Sequence, residues 1–167
     1  IRILGIDPGL ANTGYGIVEI HNNRYRAEAH GVITTPSKME SGERLKIIYD
    51  ALEEIIIKFK PLEAGIEDLF FAKNAASAFP VAQAKGISLL LLAQHGIPVR
   101  EYPPQAIKQA IVGRGRAEKE QVQELTKVLL GLDAVPRPDH AADALAAAVC
   151  HYNNMNFTKI TGSESNV

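Results

Sequence analysis

The sequence predicts an α/β fold: one domain on a mixed five-stranded sheet with helices on both faces. Three observations lead there. Residues 1–35 read as three successive strands separated by turns containing Gly and Asn, the pattern of an antiparallel meander. From residue 41 onward, stretches with the helical apolar period alternate with short apolar runs, as in strands joined by crossover helices. Finally, 167 residues with 46% hydrophobic content suffice for a single sizeable core.

Residues 1–6 form a short buried strand that Asp7-Pro8-Gly9 stops. Residues 15–20 form a second, entered through Gly14 and Gly16, and residues 24–35 a third after a His-Asn-Asn turn. Residues 41–60 are helical, with Leu45, Ile48, Leu52, Ile55, Ile56 and Phe59 at apolar positions and Pro61 as the stop. Arg44 stands three residues after Ser41, so the start of this helix has no capping box. Residues 64–67 make a short central strand leading to a loop with Phe70 and Phe71.

Residues 75–94 are apolar nearly all round and predict a helix buried in the core or in a subunit interface. Pro80 marks a late start or a kink there, and Gly86 would let another helix approach closely. Residues 97–102 form the fifth strand, ended by Pro103-Pro104. Three more helices cover 105–112, 119–130 and 139–152, the first two separated by the basic loop Gly113-Arg114-Gly115-Arg116. The domain runs over residues 1–153, and the polar residues 154–167 predict a disordered tail.

A formal net charge of −1 is neutral on whether nucleic acid is a partner, because acids gathered in a metal site offset basic surface elsewhere. Distribution says more: from Lys108 to Lys119 the chain carries Arg114 and Arg116 against Glu118 alone, a local +3. A lone cysteine, Cys150, has no partner for an internal disulfide, and no apolar stretch is long enough to span a bilayer. No signal-peptide pattern opens the sequence, and the expected address is the cytoplasm.

Four residues stand where the predicted elements should meet. Asp7 ends the first strand, Glu67 ends the short central one, and His140 with Asp143 lies in Asp-His-Ala-Ala-Asp-Ala-Leu-Ala. Two hard cations about 3.5–4 Å apart need several anionic oxygens around them, so this set suits phosphodiester chemistry. Asp-Pro-Gly also makes ordinary turns, and Asp-x-Gly followed by Thr-Gly occurs in actin-like kinases, so the first motif alone does not separate nuclease from phosphotransferase. Glycines 9, 14 and 16 would let a phosphate approach the backbone.

Glu67 on a buried strand needs either a cation or a lysine partner, while Asp68 beside it points to the opposite side and is expected to be solvated. His140 and Asp143, three apart, share a helix face, with Ala144 and Ala147 small enough to bring that face against Asp7 and Glu67. Asp139 reads as the helix N-cap, and the helix N-terminus would keep His140 neutral, as a ligand or base must be. Lys108, Arg114, Arg116 and Lys119 are candidate phosphate contacts, against the default of a solvated basic face. Phe70 or Phe71 could stack on bases, with the other in the core.

Taken together, Gly-Ile-Asp-Pro-Gly with Thr-Gly-Tyr-Gly, Ile-Glu-Asp-Leu-Phe-Phe-Ala-Lys-Asn, Val-Gly-x-Gly-x-Ala-Glu-Lys and Ala-Ala-Asp-Ala-Leu-Ala resemble the RuvC family of Holliday-junction resolvases over residues 1–153. The resemblance implies an RNase H-like fold, a homodimer, and paired symmetric nicks in four-way DNA junctions during recombination and repair. It also implies two Mg²⁺ ions per site, with Mn²⁺ able to substitute, and a branch-migration complex of RuvA and RuvB as partner. Asp7, Glu67 and Asp143 match the family's catalytic acids; His140 stands where many members have an acid. Asp139, one place earlier, is the alternative ligand, and the helix-face geometry favours His140. Lys108 and Lys119 match basic residues near the scissile phosphate. Phe70 matches an aromatic that contacts DNA, and residues 75–94 match the dimer helix.

Overall fold

The computed structural model describes residues 1–68, 75–113 and 117–162. Strands β1 (Arg2–Asp7), β2 (Asn12–His21) and β3 (Arg24–Thr34) form the expected meander. Next come helix α1 (Ser41–Phe59), strand β4 (Glu63–Glu67), helix α2 (Ala75–Gln94) and strand β5 (Val99–Tyr102), then α3 (Pro104–Val112), α4 (Lys119–Leu129) and α5 (Asp139–Gly162). Spatial order in the sheet is β3-β2-β1-β4-β5. β1 pairs antiparallel with β2 and parallel with β4, which pairs parallel with β5. The sheet is therefore mixed, as the crossover pattern predicts.

Both faces are covered, which is why the central strand β1 is apolar on both sides rather than alternating. On one face, Leu4, Ile6, Ile17 and Ile66 pack with Ile48, Leu52 and Ile56 of α1 and with Ala84, Leu91 and Leu92 of α2. On the other, Ile3, Val18 and Ile20 meet Leu145, Ala148 and Val149 of α5. Helix α3 leans on α5 through Ile107, Ala146, Ala147 and Cys150. The end of α1 is set by Lys60 in the left-handed region (φ 50°), whose N–H reaches the Ile56 carbonyl just before Pro61. Its start lacks a side-chain cap, consistent with the missing capping box.

Of the two settings expected for α2, the core takes one stripe only, Ala84, Ser88, Leu91 and Leu92, while Phe79 is 67% and Leu90 51% exposed in the single chain. Pro80 lies inside this helix, and nothing among the described residues comes near an added Cβ at Gly86. Helix α5 runs on to Gly162, past the predicted end at 152 and through part of the expected tail. Buried Met155 and a hydrogen bond from the Asn154 side-chain amide to the Cys150 carbonyl (2.8 Å) anchor the start of this extension. Packing onto the sheet outweighs the polar composition that suggested a tail. Residues 163–167 lie outside the described residues.

One polar chain crosses the core beneath α5. The Tyr102 hydroxyl lies 2.9 Å from His151 Nδ1, and His151 Nε2 lies 2.7 Å from Glu63. Burial pushes the His151 imidazolium pKa down, so a neutral ring donates through Nε2 to Glu63 and accepts from the tyrosine. Every ring nitrogen is thus satisfied, which is how a fully buried histidine is tolerated.

Candidate metal centre

Parallel pairing of β1 with β4 places Ile6 beside Ile66, so the next residues, Asp7 and Glu67, end adjacent strands at the same level and on the same face. Helix α5 lies across that face at unusually short range. A Cβ at Gly5 would come 1.7 Å from the Ala144 carbonyl oxygen, one at Gly14 2.0 Å from that of His140, and one at Gly65 2.7 Å from that of Ala147. Glycine in the sheet opposite alanine in the helix lets the backbones touch, and that seats Asp143 beside the two strand-end acids. Ligand oxygens of Asp7, Glu67 and Asp143 all lie within 4.8 Å of one another. The expected phosphate approach through these glycines is corrected: Gly14 and Gly16 receive α5, with Leu145 against Gly16, and leave no room for a phosphate. Gly9 shapes the turn, its amide and carbonyl both bonded to the buried Thr13 hydroxyl (3.3 and 2.6 Å).

Three acids this close repel one another. Glu67 is pushed up to about 8, by burial first, then by the charges of Asp7 and Asp143 and a hydrogen bond to Asp7, with Lys108 opposing. Asp143 is pushed up to about 6 by burial and by Asp7, while Lys119 and His140 pull it down. A cluster in this condition favours any cation that enters it, and all-carboxylate oxygen donors suit a hard divalent ion.

His140 behaves differently from the sequence reading. Its Nδ1 sits 2.7 Å from Asp7 Oδ2, and that hydrogen bond, against some burial, raises the imidazolium above its ordinary range. The helix N-terminus was expected to keep the ring neutral; the carboxylate partner overrides it. His140 also stands outside the mutual cluster that Asp7, Glu67 and Asp143 form, holding one of its members instead.

Asp139 is the first residue of α5 rather than its cap and does not reach the acids. Its two oxygens take Lys119 Nζ at 2.6 Å and the Gln123 side-chain amide at 2.9 Å. These contacts lower the Asp139 carboxyl, and the hydrogen bond to Asp139 raises Lys119 and holds it charged. Gln123 was missed in the sequence; its place one turn after Lys119 on α4 was the available signal.

Lys108 and Lys119 both line a cleft of about 250 Å³ between α3, α4 and α5, which Ile107, Val122, Ala146, Glu67 and Asp143 also line. Four candidate residues, Phe70, Phe71, Arg114 and Arg116, lie outside the described residues. Asp68 is not simply solvated, since it pairs with Lys85 at 3.0 Å.

The raised acids set a pH dependence with a definite sign. A carboxyl raised on folding binds its proton more tightly in the native state, so stability is full below the unfolded pKa and falls as pH rises toward the folded one. For Glu67 that window runs from 4.5 to about 8, and for Asp143 from 3.8 to about 6. Without divalent metal, Glu67→Gln is therefore expected to melt about 5 °C above the parent at pH 8.5. This corresponds to about 2 kcal/mol after discounting for solvent screening. The two should melt together at pH 4. Thermal scans in chelator at both pH values check this; equal melting at pH 8.5 would contradict the crowding of the three acids.

A mixed sheet of order 3-2-1-4-5, with acids at the ends of its two central parallel strands and a third on the helix crossing them, defines an RNase H-like protein. The Crossover junction endodeoxyribonuclease RuvC family model matches residues 3–151. Curated relatives agree. The chain is 56% identical over 151 residues to a crossover junction endodeoxyribonuclease RuvC of Treponema denticola, covering 90% of this chain and 85% of that protein. It is 52% identical to one of Chloroflexus aurantiacus, covering 90% and 92%. The solved structure of Thermus thermophilus RuvC in complex with a Holliday junction substrate superposes with a TM-score of 0.88 at 34% identity, covering 93% of this chain and 96% of that one. This chain belongs to the RuvC family of crossover junction endodeoxyribonucleases.

Proposed function

We propose that the protein is a structure-selective endonuclease that resolves four-way DNA junctions by paired symmetric nicks in homologous recombination and repair. The observation that carries this reading is the three-carboxylate cluster of Asp7, Glu67 and Asp143, set at the ends of β1, β4 and the first turns of α5. Its oxygen donors fit two Mg²⁺ ions, or Mn²⁺ in their place. Such ions, when bound, supply Lewis-acid activation of the attacking water and stabilisation of the leaving 3′-oxygen, giving 5′-phosphate and 3′-hydroxyl ends.

The chain's own groups do the rest. Asp7, the most enclosed of the three, would hold the cations together with Glu67 and Asp143. Glu67, raised to about 8, would have to lose its proton to hold a cation. His140 orients Asp7 through its Nδ1 bond and would complete the site beside the three acids. Lys108 and Lys119 face the same cleft and take the scissile phosphate, Lys119 exchanging Asp139 for a phosphate oxygen. Phe70, Arg114 and Arg116 extend the DNA contact.

The bare apolar side of α2, with Phe79 and Leu90, fits a second copy of the chain. A twofold dimer would present two such centres to the two like strands of a junction, which accounts for paired nicks. The family resemblance adds a cytoplasmic setting and a RuvA–RuvB branch-migration complex as partner.

The test uses an end-labelled synthetic four-way junction with Mg²⁺ and a linear duplex of the same sequence alongside. Paired nicks at symmetric positions, with the duplex untouched, are expected. Tight junction binding without nicks in either Mg²⁺ or Mn²⁺ would instead make this chain a non-cutting binder and would implicate His140 in place of an acid. Restoration of cutting by His140→Asp would then identify the defect.

A further inference from the structure

We propose that Lys85 of α2 is a positioning residue for the metal centre. It would act by holding the end of β4 from the face opposite the site, and the inference rests on the reading of Glu67 as a metal ligand. Along β4 successive side chains alternate: Glu67 faces α5, whereas Ile66 and Asp68 face α1 and α2. Glu101 is the register partner of Ile66 on β5 and shares that second face. Lys85 Nζ closes on both acids there, 3.0 Å from Asp68 and 2.6 Å from Glu101, and is three-quarters shielded from solvent. The Asp68 amide continues the ladder by donating to the Tyr102 carbonyl at 2.8 Å.

Three features turn these contacts into positioning. Glu67 is the last residue of its strand, paired with Tyr102 of β5, and the chain leaving it is anchored at its neighbour Asp68. Lys85 ties Asp68 to a 20-residue helix whose Ala84 is fully buried in the core one residue away. Glu101 leads through Tyr102 into Pro103 and α3, which carries Lys108. One ammonium thus fixes the two strand ends that deliver Glu67 and Lys108 to the cleft. Groups bonded directly to a metal ligand are worth about 10- to 100-fold in metal affinity or activity, and support relayed through the strand end belongs at the lower end of that range.

The experiment compares full-length parent, Lys85→Met, Lys85→Arg, Glu101→Gln and Glu67→Gln. It reads Mn²⁺ binding by calorimetry, junction affinity across salt concentrations, kcat, and melting temperature. Expected are a tenfold or greater loss of Mn²⁺ affinity and of kcat in Lys85→Met, a smaller loss in Glu101→Gln, and recovery in Lys85→Arg, with junction affinity and its salt slope unchanged. Unaltered Mn²⁺ affinity in both Lys85→Met and Glu101→Gln, while Glu67→Gln loses it, would overturn the positioning role alone. Weakened junction binding with a shallower salt slope in Lys85→Met would overturn it too, making Lys85 a phosphate contact. Full Mn²⁺ affinity in Glu67→Gln would bring down the ligand reading and the inference with it. Should Lys85→Met fail to fold, Glu101→Gln carries the same comparison.

Discussion

Asp7→Asn is expected to lower junction cleavage by on the order of a thousandfold or more while junction binding survives. Asp7 is 3% exposed, central to the carboxylate cluster, and bonded to His140. Asparagine keeps its shape and can still hold the histidine, so the change removes charge without removing packing. With that charge gone, Glu67 and Asp143 lose a cause of their raised pKa values, about 8 and about 6, and both should titrate lower. Single-turnover cleavage, junction binding by gel shift and a carboxyl titration followed by NMR check the three parts. Full-rate cutting by Asp7→Asn would remove the cluster from the chemistry. A loss of junction binding to match the loss of cutting would make the residue structural.

The second large effect falls on the fold. Gly5→Ala would drive a methyl group to 1.7 Å from the Ala144 carbonyl oxygen and 2.9 Å from the Ala148 amide nitrogen, both backbone atoms of a helix packed along its length on the sheet. Neither a rotamer change nor a small shift relieves contacts to backbone, so α5 must lift from β1. Overpacking of this severity belongs with changes that cost more than about 4 kcal/mol, a large share of the roughly 5–15 kcal/mol that holds a domain together. Gly5→Ala should be insoluble or molten at 25 °C. Gly42→Ala, in α1 with open space around it, should be neutral or up to about 1 kcal/mol more stable. Urea unfolding of the pair separates a packing effect from a general intolerance of alanine. A well-folded Gly5→Ala with native midpoint would contradict the close contact of α5 and sheet.

The sequence carried the architecture because its signals are local. Apolar runs broken by Gly and Asn turns along residues 1–35 mark strands, the 3.6-residue period marks α1 and α4, and Asp7 and Glu67 announce themselves as acids closing apolar strands. The i, i+3 spacing put His140 and Asp143 on one helical face, and the small size of Ala144 and Ala147 lets that face close on the sheet, where they abut Gly5 and Gly65. Where local signals competed, they misled. Glycines suited to a phosphate loop turned out to accept a helix, because a missing Cβ has the same spelling whichever neighbour fills the space. A polar stretch after residue 153 extended α5, since Met155 supplies an anchor that composition does not register.

Sequence alone determined the fold class, the order of elements, the family motifs and the acids that end β1 and β4. Tertiary structure alone decided which charges meet. His140 bonds to Asp7, 133 positions away; Lys119 is held by Asp139, which Gln123 also binds; Lys85 grips Asp68 and Glu101; His151 bridges Glu63 and Tyr102. Periodicity fixes the face on which a side chain lies, but its partner depends on strand order and on how close two backbones can come. Here the Gly-on-Ala contact of β1 and β4 with α5 sets that distance, and with it the ionisation of Glu67 and Asp143.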